Sequence, residues 1–432
     1  MYSIESLKNA LRSRASKEET RSPVESHVVP RVVVWIGMTS LLTDLATEMV
    51  GSVLPAFLFS VLLLPPLMVG FMDGLYQGAA AILRLPTGVW ADRYQHHKQV
   101  AAFGYGMSVV AKVGLLLSMQ WGLLIALISL GLDRVGKAVR TAPRDVLIAA
   151  HAQKGQQGAA FGLHRAMDAV GALAGPLLAF LILAASPENY ELLLAISLVF
   201  AALGLIALLV KVPPLKDISR KATVGASSEK AVGEERLNTW KNLFKNLQAE
   251  RAYWVLLGCA TVLSLGLVSD GMLYLYLQQS AEVPTSWLPL FYSGTALIFV
   301  LAAYPIGRLA DKVGAKWIVV GGHALLVLWY LVMLHVPKLV GVGGTLLVMG
   351  FFYAATDGVL MAQAALLLPE SVRTSGLALL GALMGLGRMM SSILFGALWQ
   401  WQGQSTAFWV FSAVLALAVL LAAWLWPNSE MG

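Results

Sequence analysis

Ionisable residues interrupt long apolar runs all along this sequence: Asp44, Glu48, Asp73, Arg84, Lys112, Asp133, Arg134, Lys137, His164, Arg165, Asp168, Asp270, His323, Asp357 and Arg388. A charged side chain at bilayer depth costs at least about 2.5–3.5 kcal/mol on insertion scales, so each is a functional candidate until a partner accounts for it. Two chemistries suit these residue types. A carboxyl that takes a proton from one side and releases it to the other can couple transport to a proton gradient. A guanidinium can hold an anionic group through a forked pair of hydrogen bonds.

At about 1.5 Å per residue, Asp44 lies about 18 Å into its apolar run, with Glu48 one turn further on the same face. That run holds no cation at this depth, which favours a coupling or substrate role over simple neutralisation. Asp133 and Arg134 fall in one run with Lys137 and Arg140, and the latter two have stems long enough to snorkel to the interface. His164 and Asp168 share a helix face, as do Arg165 and Asp168. A fixed Arg165–Asp168 clamp and a titrating relay both fit. Arg84 and Arg388 are candidate anion ligands, with an Arg388–Asp357 pair as the structural alternative. Asp73 and Lys112 read as facing one another or the opposite interfaces, and His323 as a packing residue.

The elements that carry these residues are membrane helices. With 58% hydrophobic residues, 13% charged residues and mean hydropathy +0.71, the chain is not a soluble globular protein. A crossing helix needs about 20 apolar residues, and spans are expected at 33–61, 67–91, 99–120, 121–140, 158–183, 190–211, 252–278, 286–307, 317–336, 340–368, 373–399 and 406–427. The net charge of +7 does not mark a nucleic-acid binder. Its cations precede the first span or cluster after the second, fourth, sixth and eighth, while the opposite loops hold Lys338 against Glu188, Glu191 and Glu282. This is the positive-inside asymmetry, and it predicts that both termini are cytoplasmic. The single cysteine, Cys259, excludes an intrachain disulfide. No phosphate-binding loop, zinc-protease run or serine-nucleophile elbow occurs, so neither an enzyme nor direct drive by ATP is expected.

The two halves echo each other. Pro86-x-Gly88-x-x-Ala91-Asp92-Arg93 recurs as Pro305-x-Gly307-x-x-Ala310-Asp311-Lys312. At nearly the same offset, Asp44 is answered by Asp270, Asp133 by Asp357, and Gly162-Leu163-His164-Arg165 by Gly385-Leu386-Gly387-Arg388. The expected organisation is a tail (1–30), a six-helix unit (31–211), a linker (212–251), a second six-helix unit (252–427) and a short tail (428–432). Within the linker, Leu237, Trp240, Leu243, Phe244 and Leu247 suit either a surface amphipathic helix or a lead-in to the seventh span.

Twelve spans in six-plus-six halves with Gly-x-x-x-Asp-Arg/Lys after the second and eighth resemble the major facilitator superfamily of transporters. Gly162, Gly171, Gly175 and Pro176 resemble the motif of its drug/proton antiporter branch, with Ala179 where a glycine is usual. Small residues at such spacing let helices approach closely, and Pro176 bends the span. The resemblance implies an all-α polytopic membrane protein of 12 transmembrane helices in two pseudo-symmetric six-helix bundles. It implies that the first, fourth, seventh and tenth spans line a central cavity. It assigns Gly88, Asp92, Arg93, Gly307, Asp311 and Lys312 to a cytoplasmic gate. The expected function is a proton-coupled exporter of a small organic solute in the bacterial inner membrane, working as a single chain without a cofactor, with the proton gradient as energy source. An importer of an anionic metabolite by proton symport and a lipid flippase are the alternatives.

Overall fold

The computed structural model describes residues 30–93, 96–152, 157–214, 251–336 and 338–426, and within them the side chains other than those of 80–82, 84–93, 157–158, 370–372, 374 and 375. The described chain is helical almost throughout. In order come α1 (Arg31–Ala56, extended by a π-helical turn, Phe57–Val61), α2 (Pro66–Arg93), α3 (His97–Trp121), α4 (Leu123–His151), α5 (Gln157–Ala185) and α6 (Tyr190–Lys211). They are followed by α7 (Arg251–Leu265), α8 (Asp270–Ala281), α9 (Leu288–Val313), α10 (Ala315–Val332), α11 (Lys338–Leu367), α12 (Glu370–Gln402) and α13 (Gln404–Leu425).

Among the described residues, ten segments are long and apolar enough to cross a membrane, with Arg251–Ala281 (α7 and α8) as one. The long helices α2 and α4 are not among the ten. In α4 the reason is visible, because Asp133, Arg134, Lys137, Arg140, Arg144 and Asp145 crowd its second half. The surface is apolar where lipid would meet it: Val199, Leu203, Ile206 and Val210 stand exposed along one face of α6, as do Leu417, Leu420 and Trp424 along α13. Exposed apolar stripes of this extent are foreign to soluble monomers.

Packing repeats the sequence echo. α1 packs on α5 and α6, α2 on α4, and α3 on α4 and α6; correspondingly α7 packs on α12 and α13, α9 on α11, and α10 on α11 and α13. The two sets are joined chiefly by α2 with α12 and α5 with α9, and α1 and α2 also meet α8. The α2–α12 crossing is backbone-close: a Cβ at Gly74 would stand 2.7 Å from the Met389 carbonyl oxygen, and one at Gly78 2.6 Å from that of Gly385.

The expected continuous span 252–278 is interrupted between Leu265 and Asp270. Backbone that leaves a helix at membrane depth must find partners in the protein, and here it does. The Val268 amide donates to the Tyr330 hydroxyl at 3.1 Å, the Ser391 hydroxyl donates to the Leu267 carbonyl, and the Ser269 side chain caps α8 by accepting from the Met272 amide. The Ser-Asp pair that opens α8 is a helix-start signal lying inside an apolar run.

Candidate functional site

The first cluster lies between α1 and α5. A Cβ at Gly171 would stand 2.7 Å from the Leu41 carbonyl oxygen and 3.3 Å from Asp44 Cβ; one at Gly175 would stand 2.8 Å from the Leu45 carbonyl oxygen and 2.9 Å from Glu48 Cβ. The two glycines thus seat α5 on α1 beside both acids. Gly162 is different, with nothing within 4 Å of a Cβ there, so it makes none of the close packing expected of it. The approach makes Asp44 the foremost charged neighbour of Asp168, with Arg144 next. Asp168 Oδ1 is buried and meets no donor among the described residues, while Oδ2 lies 3.4 Å from His164 Nε2. Arg165, by contrast, is exposed and forms no ion pair among the described residues, so the i,i+3 clamp to Asp168 is not made.

The second cluster is centred on Asp133 of α4. Lys112 Nζ of α3 lies 3.4 Å from its Oδ1, and Arg134 pairs with its Oδ2. The Arg134 guanidinium stacks 3.7 Å above the Tyr76 ring and also donates to the Tyr76 carbonyl at 3.4 Å. All three ionisable residues are at most 4% exposed. One carboxylate between two cations is bound into the fabric, which suits Asp133 to structure better than to carrying a proton. Lys112 therefore pairs with Asp133 and is buried, so of the two expected arrangements it neither meets Asp73 nor turns to an interface. Nor does Arg140 snorkel: it is buried, donates to Ser108 Oγ at 2.5 Å, lies over Tyr105 and approaches Asp44 to 4.0 Å. Glu48 has Lys137 and Asp44 as its foremost charged neighbours.

A third group comes from the later helices. Asp270 occupies the first turn of α8 and accepts from the Tyr353 hydroxyl of α11 at 2.5 Å. Arg388 of α12 lies 3.4 Å from Asp357 of α11, so the structural alternative for that arginine is the one formed. Asp270, Tyr353 and Arg388, with Gln77, Ser269 and Phe352, line a small chamber of about 20 Å³. His323 stacks edge-on against Phe352 and bonds the Val319 carbonyl, as a packing residue does.

The expected gate residues are placed unequally. The side chains of Arg84, Gly88, Asp92 and Arg93, like the linker helix around 237–247, lie outside the described residues. Gly307 and Asp311 line a groove of about 650 Å³ between α9 and α11, walled by Ala303, Ala354, Gly358 and Ala362. Asp311 and Lys312 are exposed and form no ion pair among the described residues. Sequence reasoning missed Tyr76 as a site residue, and it missed Asp133 as the partner of Lys112 and Asp270 as that of Tyr353. Their signal was faint, since each meets its partner across helices: Tyr76 meets Arg134, Lys112 meets Asp133 and Tyr353 meets Asp270.

With this architecture in view, the comparisons decide the family. The profile described as Major Facilitator Superfamily matches residues 36–341 and 290–431. The chain belongs to the Major Facilitator Superfamily. This superfamily member is 28% identical over 400 residues to an uncharacterized MFS-type transporter of Methanocaldococcus jannaschii, covering 89% of this chain and 92% of that one. It is 29% identical over 292 residues to an uncharacterized protein of Mycobacterium tuberculosis, covering 67% and 68%. Its fold is similar to that of the nucleoside transporter NupG, with TM-score 0.72 at 14% identity over 92% of this chain and 100% of that one. It is also similar to the peptide transporter POT, with TM-score 0.71 at 14% identity over 91% and 94%. A bacterial homologue of the human lysosomal transporter Spinster, solved inward-facing and unoccupied, gives TM-score 0.69 at 14% identity over 91% and 96%. At such identities the likeness speaks for the fold.

Proposed function

We propose that this superfamily member is a proton-coupled exporter of a small organic solute in a bacterial inner membrane, with both termini cytoplasmic. Two six-span bundles, α1–α6 and α7–α13 with α7 and α8 forming one span, rock about a central site, the general behaviour of transporters built from repeats. The single observation that supports proton coupling is the Asp44–Asp168 neighbourhood, where a buried carboxyl oxygen of Asp168 meets no donor among the described residues and the foremost charged neighbour is a second acid. Glu48 continues the acid face one turn on, and His164 gives the pair a proton acceptor at its rim. A solute group that displaces a proton held there gives exchange of solute for proton without further machinery.

The conformation fits one end of such a cycle. The α2–α12 glycine contacts run from Gly396 against Pro66 to Gly385 against Gly78, at the start of α2. Toward its own start α5 exposes Arg165, Ala166 and Ala169, and the groove between α9 and α11 is vacant of side chains. By the charge asymmetry of the loops, the second end is the cytoplasmic one, so this state is inward-open.

The rival reading is import of an anionic metabolite with protons. It is favoured by the buried Nε atoms of Arg134 and Arg388, which have no acceptor among the described residues. Proteoliposomes with a pH-sensitive dye separate the two. Lumenal alkalinisation of acid-loaded vesicles on adding a solute, lost in Asp44→Asn, supports exchange. External alkalinisation as an anion enters, lost on neutralising Arg134 or Arg388, supports symport. If no candidate cation, amphiphile or organic anion moves protons, the coupling role falls.

A further inference from the structure

Asp73 plays no part in the reading above, yet it is buried where α2 crosses α8 and α12. The Ser392 hydroxyl of α12 donates to its Oδ2 at 2.9 Å, and the Gln77 amide of α2 donates to its Oδ1 at 3.3 Å. Ser392 Oγ is also 3.2 Å from the hydroxyl of Ser269, the N-cap of α8. The first turn of α8 comes closer still, for a Cβ on Gly271 would stand 2.6 Å from Asp73 Oδ1 and 2.8 Å from Pro55 of α1. No cation pairs with Asp73 among the described residues. Its carboxyl is held by two neutral donors and lies against the first turn of α8, whose peptide dipoles favour an anion. The ionisable groups around it are Asp270 on α8, Tyr292 on α9 and Tyr76 on its own helix, with Arg388 and Tyr353 beyond Asp270.

We propose that Asp73 is a charge latch: its carboxylate ties α2 to α8 and α12 and holds this end of the central cavity shut. The latch spans the two halves of the chain, since Asp73 and Gln77 come from the second span, Ser392 from the eleventh and Ser269 from the seventh. Most of what surrounds it at the crossing is backbone and glycine, Gly70, Gly74 and Gly78 against Gly385, Met389, Ser392 and Gly396. Such a surface packs closely but has few side-chain interlocks, so it parts readily once the polar tie is cut. The tie is also within reach of the solute. Gln77 and Ser269, which serve the latch, line the same small chamber as Asp270, Tyr353 and Arg388. A solute group that bonds Gln77 or Ser269 takes a partner from the latch, and neutralising Asp73 has the same effect. Site occupancy is thereby read directly at the interface that must open.

This inference rests on alternating access but not on the direction of transport or the coupling ion. Its test therefore uses neither solute nor gradient. In a Cys259→Ala background, Ser293→Cys reports the shut end, where Ser293 is buried in the first turns of α9, and Ala166→Cys reports the exposed start of α5. Purified full-length protein in nanodiscs is labelled with a hydrophilic maleimide. Asp73→Asn is expected to raise the labelling rate at position 293 at least three-fold and to lower it at position 166, with Asp73→Glu restoring the parent rates. Ser392→Ala removes one donor while leaving the acid in place and is expected to shift both rates the same way, which covers the case of an unstable Asp73 variant. Equal rates at both positions in Asp73→Asn, Ser392→Ala and parent would overturn the latch. Should proton coupling fail in liposomes while these rates still shift, the latch stands and the coupling reading alone is lost.

Discussion

Asp44 of α1 and Asp168 of α5 are brought into one charged neighbourhood by a helix contact in which Gly171 and Gly175 seat α5 against α1. Neither residue is in the other's helix, so no periodicity rule connects them. Replacing either by Asn is expected to cut solute-driven proton movement at least ten-fold in proteoliposomes, while solute–solute counterflow persists because the bundles still rock. Equal loss of counterflow would mean that the pair binds solute or holds the fold, and proton coupling would have to be sought elsewhere.

The same contact predicts opposite outcomes for two glycines of one sequence motif. Gly171→Ala sets a methyl 2.7 Å from the Leu41 carbonyl oxygen, and the backbone must move. Overpacking of this kind costs about 1–3 kcal/mol. Gly162→Ala meets nothing within 4 Å and removes a glycine from a helix interior, so it is expected to be neutral or mildly stabilising. Thermal unfolding in detergent by tryptophan fluorescence compares them. A Gly162 variant as damaged as the Gly171 variant would show that packing in this conformation is not what the motif serves.

What the sequence could and could not show follows from the same geometry. Buried charge is legible because an apolar run makes it costly, and the acids at 44, 48, 133, 168, 270 and 357 stood out for that reason. Helix-mates one turn apart are legible too, and His164 does lie 3.4 Å from Asp168. Partners across helices are not. Lys112 turns toward α4 and meets Asp133, while Asp73 turns toward α12 and meets Ser392, so the two do not meet each other. The break at Gly266–Ser269 was hidden because apolar residues on both sides of a helix interruption look like one span. Only its hydrogen-bond partners, Tyr330 and Ser391, show how it is stabilised.

That break makes Tyr330 a structural residue with a specific role. It is fully buried and its hydroxyl accepts from the Val268 amide at 3.1 Å. Tyr330→Phe leaves a buried amide without a partner, which costs about 1–3 kcal/mol. The expected result is a lower unfolding temperature with little change in ring packing against Phe408. An unchanged unfolding temperature would mean that the interrupted segment refolds into a continuous helix when released.

Outside the membrane-crossing segments the opposite holds. The Lys338 ammonium, in hydrogen-bonding contact, holds the Glu282 carboxyl below its ordinary range. A depressed carboxyl adds stability above its unfolded-state value and loses it as pH falls through the folded value. Both side chains are largely exposed, however, and surface pairs contribute little. Glu282→Gln should unfold with the parent protein between pH 5 and 8, at low and high salt. A drop of several degrees that salt abolishes would show that this pair anchors the ends of α8 and α11.

The Asp133 cluster should behave quite differently, because its charges are buried and unequal in number. Lys112 and Arg134 share one carboxylate, so Asp133→Ala strands two cations, whereas Lys112→Met leaves the Arg134–Asp133 pair matched one to one. Removing one partner of a buried pair costs about 3–5 kcal/mol. Asp133→Ala is therefore expected to abolish or sharply reduce folded yield after solubilisation. Lys112→Met should remain monodisperse with a smaller fall in unfolding temperature, because the methionine stem fills the space of the lysine stem. Combining Lys112→Met with Asp133→Ala should recover part of the lost yield, since one stranded cation remains in place of two. If Lys112→Met is the more damaging single change, the lysine is making an interaction beyond Asp133, and the cluster would have to be reassigned from fold to transport.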